Sequence, residues 1–255
     1  MSLNACAALV EKADPERFRA TMAAPVGARR VLFPLYAFNV EVARAPWVTQ
    51  EPMIAEMRLQ WWRDALEEIA GDKKPRKHEV VDALAEVLDA EGAALLDGLV
   101  AARRWDIYKD PFEDAAHFDS YIDATSGHLM WTAARLLGQR DEAVIRDFAY
   151  AAGVANWFRA IPDLEERGRK PLPDGSEAGV LSLATRAEAQ LIAAIEQRNG
   201  VASDAAPVLY SGYLTRPVLH QIRKDPGKVA RGALGLPPLR EHLRFMHVAL
   251  RGWWR

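Results

Sequence analysis

The segment Ala155–Pro173, ANWFRAIPDLEERGRKPLP, holds the residue types and spacing most suited to chemistry. Asn156, Arg159, Ala160 and Asp163 recur at three- and four-residue intervals, so on a helix they share one face. Pro162 disturbs the turn before it. Arg167, Gly168 and Arg169 then set two guanidinium groups on either side of a flexible joint, and Pro171 and Pro173 stop any further helix. A polar stripe beside a basic turn suits a diphosphate. It equally suits an ordinary helix C-terminus, where arginines favour the negative end of the dipole. Cys6 is the only cysteine, so no disulfide within the chain and no thiolate metal cluster is expected. His128, isolated from other ligand types, is read as a packed or surface histidine.

The elements that position this stretch read as helices nearly throughout, because apolar residues repeat at helical period and few runs alternate. Asp14-Pro15 is an N-cap followed by proline at the first helical position, and Ala23-Ala24-Pro25 closes that helix. Val31–Ala45 forms the next, with Leu32, Tyr36, Asn39 or Val40, and Ala43 on one face. Pro34 then falls near its start and Pro46 at its end. Glu51-Pro52 opens a helix whose stripe is Met57, Trp61 and Ala65, with Arg58 and Trp62 beside it, ending at Gly71. Adjacent tryptophans cannot both face one core, so one of them meets a neighbouring helix or a partner.

Lys73, Lys74, Arg76 and Lys77 read as a solvated loop. Gly127, in Thr125-Ser126-Gly127-His128, costs about 1 kcal/mol relative to Ala inside a helix, which points to close packing or a break beside a cavity. Asp141 begins the helix that carries the opening stretch. Later helices are placed at about Leu183–Arg198, Asp204–Leu219 and from Pro238 onward. With no repeat or linker, residues 1–255 read as one all-α bundle.

Half of the 255 residues are apolar and 27% are charged, the composition of a globular protein with a sizeable core. A formal net charge of −2 gives no reason to expect nucleic acid as a partner. The N-terminal residues acquire Glu11, Asp14 and Glu16 early and lack the character of a signal or transit peptide. No uninterrupted apolar run is long enough to span a bilayer. The expectation is a cytoplasmic bacterial protein, peripheral to the inner membrane if it meets one. In the C-terminal segment, Arg240, Arg244, Arg251 and Arg255 accompany Phe245, Trp253 and Trp254, a mixture that suits either an interfacial anchor on anionic lipid or a packed last helix.

Several stretches together resemble the squalene/phytoene synthase family. Leu35–Asn39 (LYAFN) is similar to its Tyr-x-Phe helix, Arg58–Leu66 (RLQWWRDAL) to its Arg-Leu-x-Trp-Trp-Arg segment, and Tyr121 with Ser126-Gly127 to its Tyr...Ala-Gly helix. Asn156, Arg159 and Arg167–Pro173 (RGRKPLP) resemble its Asn-x-x-Arg-Asp...Arg-Gly-Arg-x-x-Leu-Pro signature. The resemblance implies the all-α isoprenoid synthase fold, a single helical bundle around a deep apolar cavity.

In that family two Asp-rich motifs face each other across the cavity and hold the Mg²⁺ ions that bind the substrate diphosphate. In register, the acidic positions of the first motif fall here on Ala43, Arg44 and Trp47, and those of the second on Ala160 and Leu164. Asp163 lies one position early, about 100° around the helix. No catalytic residue, metal ligand or cofactor is therefore expected. What remains as candidate ligand-binding groups is Tyr36, Asn39, Glu41, Asn156, Arg159, Asp163, Arg167 and Arg169.

This pattern resembles a degenerate subgroup, the mitochondrial complex I assembly factor of the family, through Ala37–Glu41, Arg159-Ala160-x-Pro162 and Glu51–Trp62. That resemblance implies a non-catalytic protein assisting assembly of respiratory NADH:quinone oxidoreductase, with a complex I subunit and an isoprenoid or lipid as partners. The alternative is an active prenyltransferase joining two prenyl diphosphates head-to-head, with Mg²⁺ as its cofactor and Glu41 and Asp163 as its remaining acids.

Overall fold

A computed structural model describes residues 2–71 and 74–254. Lys73 of the basic loop and Arg255 of the C-terminal segment lie outside these residues. No strand occurs among the described residues. The helices are α1 (Ser2–Ala13), α2 (Pro15–Ala23), α3 (Val26–Arg44), α4 (Pro52–Ala70), α5 (Glu79–Ala85), α6 (Ala90–Ala102), α7 (Ala115–Ile122), α8 (His128–Leu136), α9 (Glu142–Glu166), α10 (Glu177–Glu196), α11 (Thr215–Lys224) and α12 (Pro238–Arg251).

Local chemistry sets many of their starts. Asp14, Asp89, Asp114, Asp141 and Ser176 each accept a hydrogen bond from a backbone N–H of the first helical turn, satisfying a donor that the helix leaves open. Gly71 follows the last residue of α4, as its position in the sequence indicated.

Tertiary packing overrides the sequence reading at several places. α3 starts at Val26, five residues ahead of the expected Val31, so Pro34 lies in its interior and is buried. Packing of α3 against α1, α5 and α8 outweighs the one lost backbone hydrogen bond. α9 likewise runs through Pro162 to Glu166. On α4 the buried face is Ala55, Leu59, Trp62, Ala65 and Leu66, while Met57 is 66% exposed. The expected stripe was rotated by about one position. Trp62 meets Phe38 edge-on, and Trp61, Trp62 and His78 each contact the other two rings.

Arg76 is not a solvated loop residue. It holds Glu68 through its backbone N–H and its guanidinium, and lies over Trp61. α10 begins at Glu177, earlier than expected, because Ser176 caps it. The stretch expected as one helix over Asp204–Leu219 is a 3₁₀ segment, Ala206–Gly212, followed by α11. Gly212 sits so close to the Phe148 ring that a Cβ there would come within 2.6 Å of it.

By length and composition α10 is apolar enough to cross a membrane, unlike the expectation for every segment. Its alanines and leucines pack on α9 and α11. At the C-terminus Phe245 and Trp253 are buried, against Tyr213 and Phe148 respectively, so these aromatics are core rather than an interfacial anchor.

Between α7 and α8 the backbone widens into one π turn, Asp123–Gly127. Ser126 Oγ donates to the Ala149 carbonyl of α9 at 2.8 Å. Gly153 on α9 faces the same turn, and a Cβ there would stand 2.8 Å from Ser126 Cβ and 2.9 Å from Ile122 Cγ2. The π turn and α9 thus approach at a distance only glycine permits. Gly153→Ala is expected to cost roughly 1–3 kcal/mol through overpacking, read as a lower urea midpoint; an unchanged midpoint would refute the close approach.

Candidate functional site

Two adjoining hollows, about 410 Å³ and 770 Å³, open at the centre of the bundle and share Arg17, Asn39, Ala43, Trp47, Arg103, Ser126, Asn156 and Ala160 as walls. Helical period explains the lining. Asn39 and Ala43 are four residues apart on α3, and Trp47 continues the interval on the short 3₁₀ turn Ala45–Trp47. Gly153, Asn156, Trp157, Ala160, Asp163, Leu164 and Arg167 repeat at threes and fours along α9 and its end. Tyr121, Thr125 and Ser126, from α7 and the π turn, close the inner side.

Ala43, Trp47, Ala160 and Leu164 therefore meet across one cavity. Asp163 also reaches it, despite its offset of one residue, because the lining is wide enough to span neighbouring helical positions. Arg44 lies on the outer hollow only and pairs with Glu41 at 3.5 Å. Arg167 is exposed and extends over the Trp47 ring, 4.9 Å from its centroid.

Four candidates from the sequence occupy other roles. Tyr36 is buried outside the lining, under the Arg17 guanidinium, and burial raises its pKa. Glu41 does not line the cavity; α3 turns it toward Arg44. Arg159 is on the outer hollow, but Glu16 accepts from its Nη1 at 2.9 Å, and that bond raises its pKa. Arg169, expected to face a phosphate, is 5% exposed and turned into the protein. It donates to the carbonyls of Asp106 (2.9 Å) and Trp105 (3.0 Å) and stacks over Trp105 at 4.2 Å. Gly168, at φ +76°, allows the reversal that sends Arg167 outward and Arg169 inward.

The cavity floor contains a group that motif spacing did not single out. Asp106, 3% exposed, accepts from Arg103 Nη1 at 3.0 Å and from the Tyr121 hydroxyl at 2.9 Å. Arg103 Nη1 also donates to Tyr121 Oη at 2.8 Å. Burial pushes the Tyr121 phenol far above its ordinary range. Burial opposes the Arg103 cation, but Tyr121 and Asp106 outweigh it and raise its pKa. The only sequence signal was Arg103 and Asp106 three residues apart. Arg17, another charged wall residue outside the sequence candidates, follows the Asp14 cap by the same interval and pairs with it at 3.1 Å.

These residues do not fit a cluster of Mg²⁺ ions. Hard divalent cations need several oxygen ligands converging on one point. Among the described residues no three His, Cys, Asp or Glu side chains converge in that way. Asp106 is engaged by Arg103 and Tyr121, which leaves Asp163 as the cavity carboxylate with no ion pair among the described residues. The chemistry the walls do support is binding: cations from Arg17, Arg103 and Arg167 near the apolar surface of Ile122, Leu129, Trp157 and Leu164.

Residues 10–176 match the family described as squalene/phytoene synthase. The chain is 31% identical over 166 residues to the Drosophila melanogaster NADH dehydrogenase (ubiquinone) complex I, assembly factor 6 homolog, covering 62% of this chain and 50% of that protein. It is 25% identical over 172 residues to the Homo sapiens assembly factor 6, covering 66% and 52%. The chain thus spans about half the length of the curated relatives it matches. Among solved structures, a dehydrosqualene synthase in complex with ligand aligns with a TM-score of 0.79 at 15% identity, over 98% of this chain and 96% of that one. Squalene synthase HpnC from Alicyclobacillus acidocaldarius aligns at 0.70 and 16% identity, over 92% and 95%. These likenesses establish the isoprenoid synthase fold.

The two arginines of the Arg-Gly-Arg turn are expected to separate on substitution. Arg169→Ala removes two buried charge-assisted bonds and should destabilise by about 3 kcal/mol. Arg167→Ala, at an exposed site, should stay within about 0.5 kcal/mol. Chemical denaturation of both variants checks this; equal losses would contradict the opposite orientations.

Proposed function

Because the chain belongs to the squalene/phytoene synthase family, we propose that it is a non-catalytic member that assists assembly of respiratory NADH:quinone oxidoreductase. The observation that carries this reading is the cavity wall itself. Ala43, Trp47, Ala160 and Leu164, the positions on which the family register puts metal-binding carboxylates, line it together. An alanine or leucine supplies no oxygen to a metal, and the cations at the mouth disfavour another positive charge. The resemblance to assembly factor 6 of complex I supports the cellular role.

The retained cavity is proposed to hold an isoprenoid or another lipid with an anionic head. Arg17, Arg103 and Arg167 would receive the head, and Trp157, Leu129 and Leu164 would receive the tail. No bound metal is needed for that contact, because guanidinium groups donate directly to phosphate or carboxylate oxygens. The substrate of assembly is a membrane enzyme, so the protein is placed at the membrane periphery, on the cytoplasmic side of a bacterium.

The alternative, head-to-head coupling of two prenyl diphosphates, named Glu41 and Asp163 as its acids; of these Asp163 lines the cavity, while Glu41 is turned to Arg44. Two measurements test the reading. Deleting the gene is expected to reduce assembled complex I on native gels and NADH:quinone oxidoreductase activity; normal assembly would remove the role. Purified protein incubated with Mg²⁺ and farnesyl or geranylgeranyl diphosphate is expected to give no coupled product, and a protein-dependent product would reinstate the transferase.

A further inference from the structure

Helix α12 carries two apolar faces, and the bundle covers one of them. Inward, Phe245 and Val248 are buried, Glu241 accepts from Arg19 at 3.0 Å and from the Tyr213 hydroxyl at 2.8 Å, and Arg244 donates to the Tyr213 carbonyl at 3.1 Å. Outward, Leu239 is 71% exposed, Leu243 56%, Met246 44% and Leu250 77%. Their intervals of four, three and four residues form one continuous stripe along the helix. Scattered exposed apolar residues need no explanation, but four in register on one helix do.

The charges beside the stripe have a single sign. Arg240 and Arg251 are exposed, and no carboxylate pairs with them or with Arg244 among the described residues. Glu241, the only acid in the helix, is turned inward onto Arg19 and Tyr213. Arg216 of α11 is exposed near Arg244, and its charge adds to burial in lowering the Arg244 pKa. Arg63, Arg186 and Arg231, on other parts of the surface, are each matched by an aspartate. A second copy of α12 is a poor occupant, since antiparallel pairing brings the arginines of the two ends together with no acid between them.

We propose that the outer face of α12 lies flat on an anionic lipid surface, with Leu239, Leu243, Met246 and Leu250 in the headgroup–acyl boundary and Arg240 and Arg251 against lipid phosphates. A helix of 14 residues is about 21 Å long, too short to span the ~30 Å hydrocarbon core but suited to the interfacial plane. The inference rests on the membrane-peripheral part of the proposed function and names the surface responsible; it does not depend on complex I as the partner.

The test is sedimentation of the full chain with vesicles of phosphatidylcholine alone and of phosphatidylcholine mixed with phosphatidylglycerol. Binding is expected to the anionic vesicles, weakened by high salt. The double variant L243E/L250E, changed only at exposed positions, should bind at least about tenfold more weakly while keeping its thermal melt. Should that variant lose its helical fold, R240E/R251E gives the same readout. Failure to bind anionic vesicles, undiminished binding by the folded variants, or a concentration-dependent dimer abolished by L243E/L250E would each overturn the proposal. Restored complex I assembly by a protein that does not bind vesicles would remove this surface and leave the assembly role standing.

Discussion

A carboxylate almost fully withdrawn from water constrains the rest of the site. Asp106 is 3% exposed, and an uncompensated charge at that depth would be strongly destabilising. Arg103 and Tyr121 answer it directly, and Arg169 closes the backbone carbonyls of the same turn. Each of these groups comes from a different part of the chain. The 3₁₀ turn after α6, the last turn of α7 and the loop after α9 are thereby tied to one point. Around it, Trp105 stacks on Phe112 with ring centroids 4.0 Å apart, and Trp157 leans on Tyr121 at 5.2 Å.

The second constraint is closeness between α9 and the π turn. A regular helix through Asp123–Gly127 would place Ser126 differently relative to α9. The wider turn puts Ser126 Oγ on the Ala149 carbonyl, and Gly153 leaves room for it. That approach also turns Thr125 and Ser126 toward the hollow. The lining contributed by α3 and α9 sets Ala43, Ala160 and Leu164 among Asn39, Asn156 and Asp163. A site of this kind has guanidinium groups and hydrocarbon to offer, and no converging set of carboxylates among the described residues.

Particular residues show where sequence reasoning held and where it stopped. Caps such as Asp14 and Asp141 were legible because they act on the next three residues. The meeting of Ala43 and Trp47 with Ala160 and Leu164 could be expected from family register. Pro34 and Pro162 misled, because a missing N–H is a local signal, whereas burial of the flanking turns is not. On α4 the two tryptophans and Met57 fitted more than one stripe, and only the position of Phe38 selects Trp62. Arg167 and Arg169 look alike in the sequence, yet one is over the Trp47 ring at the cavity and the other is buried against Trp105.

The sequence by itself determined the all-helical character, many of the helix starts, and the apolar and small identities of Ala43, Trp47, Ala160 and Leu164. Those follow from periodicity, capping and residue identity, all of which act over a few residues. Only the tertiary structure decided that Asp106, Arg103 and Tyr121 form one buried network, that Arg169 is a structural cation, and that α12 leaves its leucines outside. These depend on which groups distant in the chain meet and on how much water each one loses, and neither quantity is encoded in local spacing.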